Sequence, residues 1–202
     1  MHEGIHISQD ISKASSHDAS HGGWGALDDL PGHPMMWILI ISELLVFGGL
    51  FLGFAGTHAF DPIGYGASQS QLDRFAGGLN TLVLVSSGFL AAMAVRVRAE
   101  GRIAASRLWL TGAGALGGVF LAVKLVEYAD KAAHGLNIDT NTFFTLFYLS
   151  TGFHFLHVIL GLIILAIVGW KNSLENLETG VAFWHMVDLI WVLLYPIAYL
   201  IR

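Results

Sequence analysis

The chain of 202 residues is 54% hydrophobic and 12% charged, with a formal net charge of −5 and no cysteine. Soluble domains carry about 25% charged residues; this composition, with a mean hydropathy of +0.63, excludes that class and marks a membrane protein. The missing cysteines exclude disulfides, thiolate metal sites and thiol catalysis together.

Residues 1–34 are polar, rich in Ser, Gly and His, with no apolar core of signal-peptide length, and read as a disordered cytoplasmic tail. His2, His6, His17, His21 and His33 lack a regular ligand spacing and read as solvated rather than metal-binding. Five apolar runs follow within residues 35–202: Met35 to Gly56, Gly77 to Val97, Leu108 to Val126, Phe143 to Val168 and Val181 to Ile201. About 20 apolar residues span the hydrocarbon core as a helix. Backbone polar groups in lipid must be satisfied within the segment, so runs without alternation are helices rather than barrel strands. The expected fold is all-α, a polytopic bundle of five transmembrane helices.

The stretch VRVRAEGRIAASR, between the second and third runs, holds Arg96, Arg98, Arg102 and Arg107, whereas loops on the other face offer Arg74 and Lys131. The positive-inside rule puts the Arg-rich loop in the cytoplasm, together with the N-terminus and Lys171, and Arg202 on the far side.

An ionisable side chain at the centre of a membrane helix costs at least about 2.5 kcal/mol unless it is paired or hydrated. Those inside or at the ends of the runs are Glu43, Lys124, Glu127, His154, His157, His185 and Asp188. His154 and His157, like His185 and Asp188, are three apart and share a helix face. Each pair is expected to face other helices rather than lipid. Three readings stand open. One is a metal or haem site built from imidazoles, although di-iron bundles use Glu-x-x-His elements that this chain lacks. Another is a proton path or transporter using Glu43, Glu127 and Asp188. The last is a set of interhelical hydrogen bonds and lipid head-group contacts, each worth about 0.6 to 2 kcal/mol, that fix the packing of a noncatalytic subunit.

Gly49 and Gly53, and Gly114 and Gly118, are spaced four apart and are expected to let helix backbones approach. Trp37, Trp109, Trp170, Trp184 and Tyr199 fall near the expected span ends, where interfacial anchors belong.

From about Met35 onward the chain resembles subunit III of the haem-copper oxidases. WILIISELLVFGGLFLGFAGTHAFDP resembles the helix whose Ile-Ser-Glu motif carries a buried, carbodiimide-reactive carboxylate, with Glu43 in that position. LNTLVLVSSG is similar to the Leu-Asn-Thr start of the next helix, with Asn80 and Thr81 matching, and KLVEYADKAAHG to a helix end with Glu-Tyr, here Glu127 and Tyr128. STGFHFLHVILG resembles Thr-Gly-Phe-His-x-x-His-Val, and AFWHMVDLIWVLLY resembles Trp-His-x-Val-Asp-x-x-Trp.

The resemblance implies a noncatalytic subunit that binds no haem or copper and docks on the catalytic subunit I, where both reside. That subunit reduces oxygen and pumps protons in the respiratory chain. It implies that Glu43, Glu127 and Asp188 are buried carboxylates connected with proton uptake. His154, His157, His185, Asn80 and Trp184 then serve helix packing or head-group contacts. Other oxidase subunits and bound phospholipid are implied partners, nucleic acid is not, and the location is the bacterial cytoplasmic membrane. The longer family form has two further helices ahead of the Ile-Ser-Glu helix, where a polar tail stands here, so its lipid cleft is either missing or completed by another subunit. Five-helix forms accompany quinol oxidases and, as an accessory subunit, nitric oxide reductases. The final helix, with Pro196, is similar to the latter, while the Ile-Ser-Glu and Leu-Asn-Thr motifs lean to the oxidases; both stay open. A proton-coupled transporter is the rival from another class, but the chain shows neither the internal repeats nor the broken helices usual there.

Overall fold

A computed structural model describes residues 34–171 and 173–201, with side chains from Ile38 onward. It divides into two units, Met1–Trp37 and Ile38–Arg202. The expected polar tail with its five histidines, the side chain of Trp37, and Arg202 lie outside the described residues.

The elements are α1 (Pro34–Phe60), α2 (Pro62–Gln69), α3 (Arg74–Ala99), α4 (Ile103–Ala133), α5 (Thr142–Lys171) and α6 (Leu174–Tyr195), closed by a π-helical turn over Pro196–Leu200. Five helices are long and apolar enough to cross a membrane, as expected, and no strand occurs among the described residues. Most overrun the apolar runs. α4, for example, begins at Ile103 rather than Leu108 and continues to Ala133, because intrahelical hydrogen bonding carries on past the residues that favour hydrocarbon.

The helix ends follow local chemistry. Asp73 caps α3, accepting from the backbone N–H groups of Phe75 and Ala76 at 2.9 and 3.0 Å. Gly101 and Gly135 end α3 and α4 with φ of 81° and 75°, the left-handed conformation that lets the next residue bond back into the last turn. Arg102 N–H accordingly reaches Val97 O at 3.2 Å, and Leu136 N–H reaches Lys131 O at 3.0 Å. α2 is missed by hydropathy. Its signal is Asp61-Pro62: a cap accepting from Gly64 N–H at 2.9 Å, followed by proline at the first helical position.

α3, α4, α5 and α6 pack as a closed ring, each against the next and α6 back against α3. α6 is the most enclosed span, with 56% of its apolar window buried, and α1 the least, with 11%. α1 meets α5 through large side chains: Phe47 against Phe153, ring centroids 5.7 Å apart, and Phe54 against Phe143 at 5.9 Å. α2 is tied to the end of the chain by Tyr65 Oη donating to Ile197 O at 2.8 Å and Gln69 Nε2 donating to Ile201 O at 2.8 Å.

The expected glycine contacts are largely displaced. Gly49 and Gly118 have open space where a side chain would sit, Gly114 is in ordinary contact with Leu162, and only Gly53 is tight, against Leu146. Close approaches occur at other glycines, Gly117 and Gly161 among them. Both lie against the Trp184 ring, 2.8 and 2.6 Å from where a Cβ would be. Four-residue spacing identifies a smooth stripe but not what faces it; here two helices leave room for an indole.

Candidate functional site

Among the described residues, the ionisable side chains of the spans meet in three pairings. The deepest joins Lys124 and Glu127, one turn apart on α4, to Tyr199 in the final turn. Lys124 Nζ donates to Glu127 Oε2 and to Tyr199 Oη, both at 2.9 Å, and Tyr199 Oη donates to Glu127 Oε1 at 2.6 Å. Rings of Trp191, Phe147, Tyr128 and Tyr199 lie 4.9 to 5.5 Å from the ammonium. Removing two charges from water costs several kcal/mol per ion. Mutual attraction, three hydrogen bonds and the negative faces of the rings offset that cost. Both carboxyl oxygens of Glu127 are thereby engaged.

Glu43 and His157 form the second pairing, across the crevice between α1 and α5. His157 Nε2 lies 3.0 Å from Glu43 Oε1, while Nδ1 lies 2.8 Å from Phe153 O. The carbonyl only accepts, so Nδ1 carries a hydrogen. The Nε2···Oε1 contact therefore holds another proton, on the carboxyl or on the imidazole. Glu43 Oε2 is buried and has no hydrogen-bond partner, which leaves one edge of this carboxyl uncommitted.

His185 and Asp188 are the third pairing, on α6 beside Gly88 of α3. His185 Nδ1 is 3.9 Å from Asp188 Oδ2, and their side chains are 47% and 9% exposed. Asp188 Oδ1 is buried without a partner. Asp188 turns inward as expected; His185 does not, because Trp184 and Met186 on either side take the buried faces of α6.

His154 stands apart from all three. Fully buried, it stacks on Trp191 at 5.2 Å and lies edge-on to Phe120 at 5.6 Å. Neither ring nitrogen has a hydrogen-bond partner. His154 and His157 are thus one turn apart but in different surroundings. Among the described residues no three His, Asp or Glu side chains converge as metal ligands.

Asn80 links α3 to α4, its Nδ2 donating to Phe120 O at 3.3 Å. Trp184 Nε1 donates to Ser87 Oγ at 3.1 Å, and Ser87 donates to Ala113 O at 2.7 Å, so one relay crosses α6, α3 and α4. Two expected interfacial anchors are corrected: Trp184 and Tyr199 are fully buried, while Trp170 is 86% exposed. The apolar run starting at Val181 suggests a span end close to Trp184. The helix begins at Leu174 and carries the indole inward. Tyr199 was missed as a partner of Lys124 and Glu127, and no spacing signal connects such distant residues.

A closed ring of four membrane helices, a fifth leaning on it, and polar groups paired within the bundle define a polytopic helical membrane protein. The family model "Cytochrome c oxidase subunit III" matches residues 9–201. Cytochrome c oxidase subunit 3 of Thermostichus vulcanus is 32% identical over 199 residues, covering 90% of this chain and 96% of that protein. The probable cytochrome c oxidase subunit 3 of Mycobacterium tuberculosis (strain ATCC 25618 / H37Rv) is 30% identical, covering 82% and 85%. That of Synechocystis sp. is 27% identical, covering 96% and 85%. The chain belongs to the cytochrome c oxidase subunit III family. It is a subunit of a haem-copper terminal oxidase in the bacterial inner membrane and associates with other oxidase subunits.

Proposed function

We propose that this subunit docks on the catalytic haem-copper subunit I, holds no redox centre itself, and supports assembly, stability and proton uptake of that partner. The observation that carries this reading is the closed Lys124, Glu127 and Tyr199 cluster. Its polar atoms are spent on one another, as in a structural knot, with no side open for a ligand. Glu43 differs, since its shared proton and uncommitted oxygen suit a carboxyl that exchanges protons. The Arg-rich end faces the cytoplasm in this reading, with Glu43 in the half of α1 nearer that end.

Bound phospholipid is part of the proposal. A groove of about 740 Å³ runs between α4 and α5, walled by Leu110, Gly114, Ala115, Leu162, Leu165, Ala166 and Gly169, with Arg107 and Trp170 also lining it. Apolar walls suit an acyl chain, and a guanidinium suits a phosphate. The nitric oxide reductase and transporter readings draw no support from the relatives named above.

The experiment is to purify the oxidase from its native membrane in mild detergent and then strip this chain away. A reduced-minus-oxidised haem spectrum and oxygen turnover are recorded before and after. Haem and copper signals that stay with the stripped complex, with turnover that continues but decays faster, support the proposal. A haem or metal signal that leaves with this chain overturns it.

A further inference from the structure

We propose that α2 is a lid, closing the end of the bundle opposite the Arg-rich loop and keeping water from the buried Lys124, Glu127 and Tyr199 cluster. This holds whichever subunit the chain docks on.

A stretch of eight residues with Gly64 and Gly66 inside it is too short and too flexible to persist as a helix on its own. What holds α2 is one face. Tyr65, Ser68 and Gln69 are buried, Gln69 completely, and Leu72 continues the face into the following turn, whereas Ile63 is 87% exposed. That face reaches two places. Ser68 Oγ accepts from Asn141 Nδ2 at 2.9 Å, which ties α2 to the residue before α5. Tyr65 Oη donates to Ile197 O at 2.8 Å, while Gln69 Nε2 donates to Ala198 O at 3.3 Å and to Ile201 O at 2.8 Å. The last carbonyls of a helix have no partner within it, so α2 supplies the donors that the turn over Pro196–Leu200 lacks.

Those three acceptors flank Tyr199, whose hydroxyl completes the buried ion pair. α2 therefore grips the turn on which the cluster depends. Beneath Tyr65 a line of rings leads inward: Phe143 lies edge-on to it at 4.9 Å, Phe147 is stacked with Phe143 at 6.5 Å, and the Phe147 ring is 5.0 Å from Lys124 Nζ. Lifting α2 uncovers the first ring and frees the turn. Gln69 Oε1 is buried without a hydrogen-bond partner, an acceptor that the closed lid leaves unsatisfied and that water satisfies when it opens. A short helix held by few hydrogen bonds belongs to the low-stability end of a fold, where local opening is easiest. Ionisable groups within a membrane that water can reach are routes for protons; α2 decides whether this cluster is reached from its end of the bundle.

The chain has no cysteine, so a single thiol can report on the lid. Ala198→Cys, fully buried in the turn that α2 grips, and Ala113→Cys, fully buried on α4, are each made in the full chain within its native complex. Both are treated with a charged methanethiosulfonate, and the label on this chain is followed by mass. The proposal expects Ala198→Cys to react slowly, and about tenfold faster once Tyr65→Phe and Gln69→Ala together remove the tethers to the turn. Ala113→Cys should stay inert in both backgrounds. An Ala198→Cys rate that the tether variants leave unchanged overturns the lid; equal acceleration at Ala113→Cys also overturns it, since the whole bundle has then loosened. A second measurement needs no substitution. Amide hydrogen exchange in the native oxidase should give residues 62–72 and 196–201 the same protection, lower than that of α4 around Lys124. Free exchange in 62–72 while 196–201 stays protected overturns the proposal, because the turn is then closed without α2.

Discussion

Tyr199 donates a 2.6 Å hydrogen bond to Glu127, 72 residues earlier in the chain. The same phenol oxygen accepts from Lys124, so the last turn of the protein is tied to α4 through a buried ion pair. Three conformationally free side chains become one closed unit that is neutral as a whole.

Breaking that unit from one side should be costly. Lys124→Met leaves Glu127 buried without its cation and is expected to destabilise the subunit by about 3–5 kcal/mol, whereas Lys124→Met combined with Glu127→Met should cost less than either single change. Thermal release of the subunit from purified oxidase measures this. Additive losses in the double variant would mean the two side chains do not act as a pair.

Space, rather than charge, governs the second expectation. Gly161→Ala pushes a methyl to 2.6 Å from the Trp184 ring, which Gly117 holds from the other side. Overpacking of this kind costs about 1–3 kcal/mol. Gly118→Ala meets open space and should be neutral or stabilising by about 0.5–1 kcal/mol through helix propensity. The same melting assay compares them, and equal effects would mean the indole can move aside.

A carbodiimide provides a chemical readout of the carboxyls. Glu43 has an oxygen without a hydrogen-bond partner and a proton shared with His157, whereas both oxygens of Glu127 are engaged. Peptide mapping after treatment of intact membranes should find Glu43 modified and Glu127 spared. Label on Glu127 with Glu43 untouched would contradict this assignment.

Tyr65, outside the membrane spans, gives a pH dependence. Burial pushes its phenol up to about 12 from 10.0. Below pH 10 the folded and unfolded chains both hold the proton and stability does not depend on this group. Between pH 10 and 12 the unfolded chain releases it while the folded chain retains it, so stability falls as pH rises. Tyr65→Phe, which also removes the bond to Ile197 O, should be less stable at neutral pH and should lose less between pH 10 and 12. Parallel profiles would rule out Tyr65 as the group responsible.

The five spans were legible because hydrocarbon demands long apolar helices, and this demand is written into every residue of a run. The motifs carrying Glu43, Glu127 and His157 likewise stood out as polar residues in apolar stretches. Facing direction was not legible. A spacing of three puts His185 and Asp188 on one side of α6, yet the helix rotation buries one and exposes the other. Closeness to the ends of apolar runs suggests anchors at Trp184 and Tyr199, yet the rest of the bundle surrounds both. Pairings such as Tyr199 with Lys124 belong to tertiary packing, and no local pattern announces them.

α1 touches the remainder of its chain mostly through aromatic side chains, with the Glu43–His157 pairing beside them. During synthesis it precedes the other described spans, and the α5 residues it will meet, Phe143 and Phe153, are made only after α3 and α4. Until then it has to survive as a solitary span. Its mean hydropathy of 2.3, shared only with the α5 span, equips it for that wait. The order of translation and the looseness of its packing thus agree: the helix that must live longest without companions is the one that depends on them least.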